Sequence, residues 1–303
     1  MRVLAAYNIK GGTGKTATAV NLAYLSAYYG ARTLVWDLDP QGAATFYFRI
    51  PERRGGGKQH IRGKQDLDSL IRGTDYEMLD LLRASFSYRN LDQTLAQTKK
   101  PLKRFAQLIK PLASDYDCLI FDCPPGINLV SESIFYAADA LLVPTIPTTL
   151  SLRCLDLLTE YLQRNGPQSL RVLPFFSMVD ARKSLHQKIC AAAPSKAVRF
   201  LKTRIPYASV VEQMGVHRAP VSAFAARSPI DYAYRALWDD IQTELDAPEP
   251  GSELARATPF ASPAAMHARR CLLYTSPSPR DATSHLVCRL LLEKGGGGGG
   301  GGG

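Results

Sequence analysis

The segment from Lys10 to Thr16, KGGTGKT, has residue types suited to binding a phosphate chain. Glycines let backbone N–H groups turn toward a phosphate, and the Lys15 ammonium can neutralise β- and γ-phosphate oxygens. The Thr16 hydroxyl can bind Mg²⁺ at the start of a helix whose dipole also favours anions. The expected nucleotide-binding residues of this loop are Gly11, Gly12, Thr13, Gly14, Lys15, Thr16 and Ala17.

The loop departs from the general P-loop pattern at two positions. That pattern has a glycine five residues before Gly14, where this chain has Ile9. Lys10 stands immediately before the first glycine, so a second lysine lies near the phosphates. Nucleotide binding within one chain does not explain this second lysine.

Three aspartates follow apolar runs that read as buried strands. Asp37 and Asp39 come after residues 33–36, and Asp122 comes after residues 118–121. Carboxylates at the ends of neighbouring strands suit Mg²⁺ binding and the positioning of water. Taken alone, Asp37 and Asp39 are equally compatible with a turn or a helix cap before Pro40.

Apolar runs alternate with helical patterns along most of the chain, which predicts an α/β fold. We expect a mostly parallel sheet flanked by helices on both faces, as in P-loop NTPases, with ligands at the carboxyl ends of the strands. A helix is expected over 16–29, and a last helix is expected to start after a Ser228 cap. The predicted strands are 3–9, 33–36, 78–82, 118–121, 140–146, 170–176 and 200–205.

Composition excludes some classes of protein and favours one kind of partner. With 46% hydrophobic residues in 303, the chain can bury a substantial core. No run of eighteen apolar residues and no N-terminal signal pattern occurs, so we expect a cytoplasmic protein without a membrane span. The formal net charge of +10 favours a polyanionic partner.

Three segments are expected to lie outside the folded core. Residues 51–64, rich in glycine and basic residues, predict a mobile surface loop, for which a nucleic-acid contact is the alternative. The folded domain is expected to cover residues 1–246. The composition of residues 247–270, rich in Ala, Pro and Ser, predicts a disordered tail after it. Residues 271–303 resemble a translated sequencing adapter. Removing their three basic and two acidic residues leaves a net charge of +9.

Five segments resemble the deviant Walker A ATPases of the ParA/MinD type, and within them the ParA-like partition proteins. They are YNIKGGTGKTATAVNLA (7–23), DLDPQGAAT (37–45), YDCLIFDCPPG (116–126), ADALLVPTIPTTLSL (138–152) and IPYASVVEQMGVHRAPV (205–221). They occur in the order found in that family. The resemblance implies an ATPase that uses ATP and Mg²⁺ and that dimerises on ATP.

The resemblance also implies a role for each matching residue. Lys10 would reach the phosphates of a partner subunit across the dimer, and Lys15 would keep its P-loop role; both count as catalytic. Asp39 would position the hydrolytic water, with Asp37 in support. Thr16 and Asp122 would hold Mg²⁺. Segments implied to contact the nucleotide are 124–126 at the γ-phosphate, and 177–180 and 205–207, including Pro206, at the adenine.

The biological role would depend on what the dimer binds. The first hypothesis is non-specific DNA, with a stimulating adaptor protein and association with the nucleoid. Scattered solvated charges are the alternative to a DNA-binding face. A membrane-associated MinD-like regulator would need a basic amphipathic helix, which 247–270 lack, and a metabolic P-loop enzyme is the third hypothesis. The basic residues considered are Arg182, Lys183, Lys188, Lys196, Arg199, Lys202, Arg204, Arg218 and Arg227.

Overall fold

The computed structural model describes residues 1–51, 70–84, 91–192 and 198–247. Within them, eight strands form one sheet in the order β3-β4-β2-β5-β1-β6-β7-β8. Every pairing is parallel except that of β3 with β4, so the predicted mostly parallel sheet is confirmed. The strands are β1 Arg2–Ala6, β2 Thr33–Asp37, β3 Ile71–Gly73, β4 Leu79–Leu82, β5 Cys118–Asp122, β6 Ala140–Thr145, β7 Arg171–Val179 and β8 Arg204–Pro206.

Helices connect most successive strands, as right-handed parallel crossovers require. The helices, numbered along the described residues, are α1 Lys15–Tyr28, α2 Ala43–Tyr47, α3 Leu91–Ala96, α4 Arg104–Ile109, α5 Leu129–Phe135, α6 Thr149–Asn165, α7 Ser184–Ala191, α8 Ser209–Glu212, α9 Met214–His217, α10 Val221–Phe224 and α11 Pro229–Asp246. Short 3₁₀ turns lie at Pro101–Lys103 and Pro111–Ser114.

The two faces of the sheet are covered by different helices. On one face, the Phe105 ring of α4 is tilted against Trp36, with ring centroids 5.2 Å apart, and packs edge-on against Phe121, with ring centroids 5.8 Å apart. On the other, α1 packs against β2 and β5 and has ten of its fourteen residues buried. Helix α1 is therefore held rigidly, and so is the loop that precedes it.

Three strand predictions were wrong at their ends, and one of them is β7, which runs on to Val179 rather than ending at residue 176. The first strand stops at Ala6 rather than at residue 9, because the Asn8 amide bonds to Pro144 O and to Lys10 N and so draws the chain into a loop. The last strand covers Arg204–Pro206 instead of 200–205. Phe200 precedes it and stacks on Phe176. The antiparallel strand β3 was not predicted.

The last predicted helix is confirmed. Ser228 caps α11 by accepting a hydrogen bond from Asp231 N at 3.2 Å, and Pro229 occupies its first turn. The predictions for the loop 51–64 (beyond Pro51), for the tail 247–270 (beyond Ala247) and for 271–303 fall on residues outside the described ranges.

Candidate nucleotide-binding site

The phosphate-type loop lies between the carboxyl end of β1 and the start of α1. Its entrance is fixed by Asn8, which is buried. The Asn8 Nδ2 donates to Pro144 O at 2.9 Å, and its Oδ1 accepts from Lys10 N at 2.9 Å. The loop is thereby bonded to β6, the neighbour of β1 in the sheet.

Two glycines of the loop adopt a backbone conformation that other residues disfavour. Gly12 and Gly14 have φ of +70° and +96°. At Gly14 a Cβ atom would also lie 3.1 Å from Ser177 Oγ. Both the backbone conformation and the nearby Ser177 side chain therefore disfavour a larger residue at this position. Gly14 caps α1, and its carbonyl accepts a hydrogen bond from Thr18 Oγ1 at 2.8 Å. These contacts hold the loop in the curved form that exposes N–H groups to an anion.

The Lys15 ammonium is enclosed by this curve. Its side chain is only 7% exposed, and Nζ donates to Lys10 O at 3.2 Å. Burial lowers the pKa of Lys15, while the nearby Asp122, Cys123 and Asp39 act in the opposite direction. A phosphate placed in the loop would meet a positive charge whose position is already fixed.

The carboxylate of Asp122 accepts no hydrogen bond from the residues that the structure describes. The residue ends β5 and is fully buried, and neither Oδ1 nor Oδ2 has a donor among those residues. Burial, followed by repulsion from Asp37, raises the pKa of Asp122 well above its usual value, and the nearby Thr16 hydroxyl lowers it. Such oxygens near a hydroxyl are ligand types that suit Mg²⁺, and the metal role of Thr16 and Asp122 stays a prediction.

Asp37 is also fully buried, but its oxygens have three partners. Oδ2 accepts from Thr45 N at 2.8 Å and from Thr45 Oγ1 at 2.7 Å, and Oδ1 accepts from Asp39 N at 3.2 Å. Burial is the main reason that the pKa of Asp37 is raised to about 7. Asp37 therefore holds the 37–45 turn in place, in agreement with a supporting role.

Asp39 is bound less tightly than its neighbour. Its Oδ1 accepts from Gln41 N at 2.9 Å, which is the turn contact that the sequence alternative described. The residue is only partly buried, and its charge acts on Lys15 and Asp122 across the site. Asp39 therefore forms the turn contact with Gln41 and still lies close enough to Lys15 and Asp122 to interact with them.

The segment after β5 is tied directly to the loop. Gly126 N donates to Ile9 O at 3.1 Å, and Tyr7 Oη donates to Gly126 O at 2.9 Å. Gly126 has φ of +94°, and burial raises the pKa of Tyr7. Sequence reasoning gave no role to Tyr7 or Asn8, although both stand in the quoted motif. Their polar groups in an otherwise apolar run were the available signal.

The expected adenine segments lie at the carboxyl ends of β7 and β8. Ser177 is buried beside Gly14, whereas Pro206 is exposed at the sheet edge. Tyr207 N donates to Val179 O at 2.9 Å and joins the two segments. Ser177 therefore borders the phosphate loop, while no hydrogen bond between described residues joins Pro206 to that loop.

The basic residues of the C-terminal third have different surroundings. Arg204 donates to Cys190 O at 2.7 Å, Arg182 pairs with Asp180, and the Arg218 guanidinium lies 4.6 Å from the Phe46 ring centroid. Lys196 lies outside the described residues. The remaining members are exposed and are Lys183, Lys188, Arg199, Lys202 and Arg227.

Four of these exposed residues lie in one part of the fold, around β7, α7 and the edge strand β8. Lys183 precedes α7, Lys188 is in its last turn, and Arg199 and Lys202 lead into β8. Arg227 lies instead just before α11. Separately, no helix in the described ranges has both the length and the apolar character needed to cross a bilayer.

Comparisons with known proteins show the family of this chain. A family model described as an AAA domain matches residues 1–169. Sporulation initiation inhibitor protein Soj of Bacillus subtilis (strain 168) is 28% identical over 236 residues, which are 75% of this chain and 92% of that protein. Chromosome partitioning protein ParA of Caulobacter vibrioides (strain NA1000 / CB15N) is 30% identical over 197 residues, or 62% of this chain and 74% of that protein.

A solved structure of Cyanothece McdA in complex with ATP matches with a TM-score of 0.69 at 19% identity. It covers 84% of this chain and 99% of that chain, and supports the fold alone at this identity. The family model, in contrast, matches more than half of the chain, including the loop and all three aspartates. This chain belongs to the ParA/MinD family of P-loop ATPases.

Proposed function

We propose that the chain is an ATP-driven switch that partitions or positions DNA or another cargo. The observation that carries the proposal is the fully buried Asp122, whose two oxygens accept no hydrogen bond from the described residues and which interacts electrostatically with the Lys15 ammonium. A buried carboxylate without donors is costly unless a cation binds it. Relatives named for chromosome partitioning support the biological part of the proposal.

The proposed reaction is attack of water on the γ-phosphate of ATP. The loop amides from Gly11 to Thr16 and the Lys15 ammonium bind the phosphates, and Thr16 and Asp122 hold the metal. Bound Mg²⁺ would neutralise charge on the phosphate oxygens. Asp39, held by Gln41 N, orients the water, and Asp37 keeps the turn in place.

Dimerisation is proposed to depend on ATP through Lys10. Lys10 is only half-buried, and its carbonyl rather than its ammonium takes part in the contact with Lys15. Its side chain is thus available to the phosphates of a second subunit. If this contact forms only when ATP is bound, dimerisation depends on whether the chain holds ATP. The adaptor that stimulates hydrolysis is part of the same proposal.

DNA binding is proposed for the basic edge, defined as Lys183, Lys188, Arg199 and Lys202. These residues are exposed near one end of the sheet, and contacts from such residues to phosphates are sequence-independent and sensitive to salt. Arg204 and Arg218 are already used in contacts within the chain. We therefore rank them below the basic edge as DNA contacts.

The test combines ATP hydrolysis with binding of random duplex DNA by the full chain. We expect slow phosphate release that requires Mg²⁺, and DNA binding that requires ATP and weakens steeply as salt is raised. Lys183→Ala/Lys188→Ala should weaken DNA binding, while Lys110→Ala/Arg164→Ala, which removes equal charge elsewhere, should not. DNA binding without ATP, or insensitive to salt, would show that the DNA part is wrong. Absence of hydrolysis and nucleotide binding would overturn the switch.

A further inference from the structure

A cleft of about 600 Å³ lies beside α3 and α4, away from the phosphate loop. Its lining combines three cationic side chains, Lys99, Lys100 and Arg104, with two threonines and the amides of Gln97 and Gln107. No carboxylate is among the described residues that line it. Its volume lies within the range of ordinary ligand pockets, roughly 300–1,000 Å³.

The chain around this cleft has one sign of charge. From residue 93 to residue 114 there are five cations and no acidic residue. Lys99 and Lys100 are exposed, and no ion pair of the described chain joins either to a carboxylate. Asp92, the nearest acid before the segment, accepts from Val130 N at 3.0 Å and so is engaged by α5.

The cleft is separate from the basic edge proposed for DNA. Phe105 of α4 is completely buried against Trp36 and Phe121, which fixes this region over β2 and β5. Three strands separate β5 from β8, so the two regions are about 19 Å apart across the sheet at ~4.8 Å per strand. The cleft and the basic edge therefore lie over different strands of the sheet.

The shape and the donors of the cleft select its occupant. Ammonium, guanidinium and amide groups together donate many hydrogen bonds, which carboxylates accept well. A convex duplex touches a concave pocket only at its rim, whereas acidic side chains on an extended peptide can enter it. We infer that the α3–α4 cleft binds an Asp- and Glu-rich segment of a partner protein.

The elements around the cleft are bonded to the helix that follows the nucleotide site. Ser133 Oγ of α5 donates to Pro101 O at 2.9 Å, next to the contact between Asp92 and Val130. Helix α5 begins at Leu129, just after the 124–126 segment. An acidic segment seated in the cleft would therefore lie on elements that hold the start of α5.

The test measures binding of a fluorescein-labelled, Glu- and Asp-rich decapeptide to the full chain by anisotropy at physiological salt. Lys99→Glu/Lys100→Glu should weaken binding by about tenfold or more, and Lys99→Gln/Lys100→Gln should weaken it less. The control Arg153→Glu/Arg164→Glu carries the same change of charge at two exposed positions of α6, outside the cleft lining and outside residues 93–114, and should bind within about twofold of the unmodified chain. Thermal unfolding checks that each variant is folded.

Three outcomes would overturn the inference. The first is equal loss in the cleft variant and the control, which would mean general attraction to a basic protein. The second is equal binding of the peptide in which every acid is replaced by its amide. The third is displacement of the peptide by random duplex DNA together with loss of DNA binding in the cleft variant, which would assign the surface to nucleic acid.

Discussion

Asp37 and Asp122 lie opposite each other on the adjacent parallel strands β2 and β5, and both are completely buried. Their surroundings differ, because Asp37 accepts three hydrogen bonds whereas Asp122 accepts none among the described contacts. Repulsion between them adds to burial in raising the pKa of Asp122. One carboxylate is thus used for structure, and we propose that the other binds a cation.

This pair predicts how the nucleotide-free protein responds to pH. The pKa of Asp37 is raised to about 7 and that of Asp122 is raised too, so folding favours their protonated forms. The contribution of Asp37 is complete below about pH 4, near the unfolded pKa, and is lost as pH rises through about 7, while that of Asp122 is lost as pH rises through its own raised pKa. Asp122→Asn removes one charge, so it should raise the free energy of unfolding at pH 8 by roughly 1–3 kcal/mol.

Urea denaturation at pH 5 and pH 8 without nucleotide or Mg²⁺ measures this effect. The stabilising effect of Asp122→Asn should be smaller at pH 5, where the aspartates of the unmodified chain are more protonated. The same variant should lose Mg²⁺-dependent nucleotide binding. A variant that is destabilised at pH 8 would contradict the assignment of Asp122 as an unpaired buried carboxylate.

The positions of the loop and of the aspartates at the strand ends can be predicted from sequence, because they depend on short local patterns of residues. Glycines in the loop and aspartates after apolar runs place the chemistry at strand ends, and parallel strands bring those ends together. The partners of each carboxylate do not follow. Whether Thr45 donates to Asp37 or to Asp122 depends on how α2 returns to the sheet, and the antiparallel β3 depends on its pairing with β4.

Lys15→Ala should abolish nucleotide binding, because the ammonium is held by Lys10 O inside the loop and no other lysine among the described residues is similarly placed. We expect affinity for a fluorescent ATP analogue to fall by at least about a hundredfold, as for loss of a charge-assisted contact in an enclosed site. Lys110→Ala, in which an exposed lysine outside the site is removed, is the control. Near-normal affinity of Lys15→Ala would remove Lys15 from the site.

Lys10→Ala should separate binding from dimerisation. Its backbone, which contacts Asn8 and Lys15, is kept, so nucleotide affinity should stay within about threefold of the unmodified chain. The dimer that ATP induces should disappear in light scattering with a non-hydrolysable analogue. A variant that still dimerises with ATP would show that the ammonium of Lys10 is not the intersubunit contact.

Asp39→Ala should bind ATP and fail to hydrolyse it, because the turn is still held through Asp37 and Thr45 while the carboxylate that orients water is lost. Phosphate release should fall by about a hundredfold or more, in the range of a general base or water-positioning residue. The ATP-bound dimer should then persist in size-exclusion chromatography. Hydrolysis at the unmodified rate would overturn the role of Asp39.

Arg218 is expected to stabilise the fold through hydrogen bonds with Phe46 and Arg49. Arg218 Nε donates to Phe46 O at 3.0 Å, and Arg218 O accepts from Arg49 Nε at 3.2 Å. Both arginines have left-handed backbones, with φ of 48° and 60°, which costs roughly 1 kcal/mol each. Such strain persists where surrounding contacts fix the conformation.

Two substitutions distinguish this role from a DNA contact. Arg218→Ala loses the side-chain contacts with Phe46, keeps the backbone carbonyl that accepts from Arg49, and keeps the strain, so we expect it to destabilise the fold by about 1–2 kcal/mol. Arg218→Gly loses the same side-chain contacts and relieves the strain, so it should be less damaging. Urea denaturation measures both. If DNA binding requires the Arg218 side chain, both variants should lose DNA affinity equally while folded, whereas a purely structural role predicts that affinity in the folded state changes little.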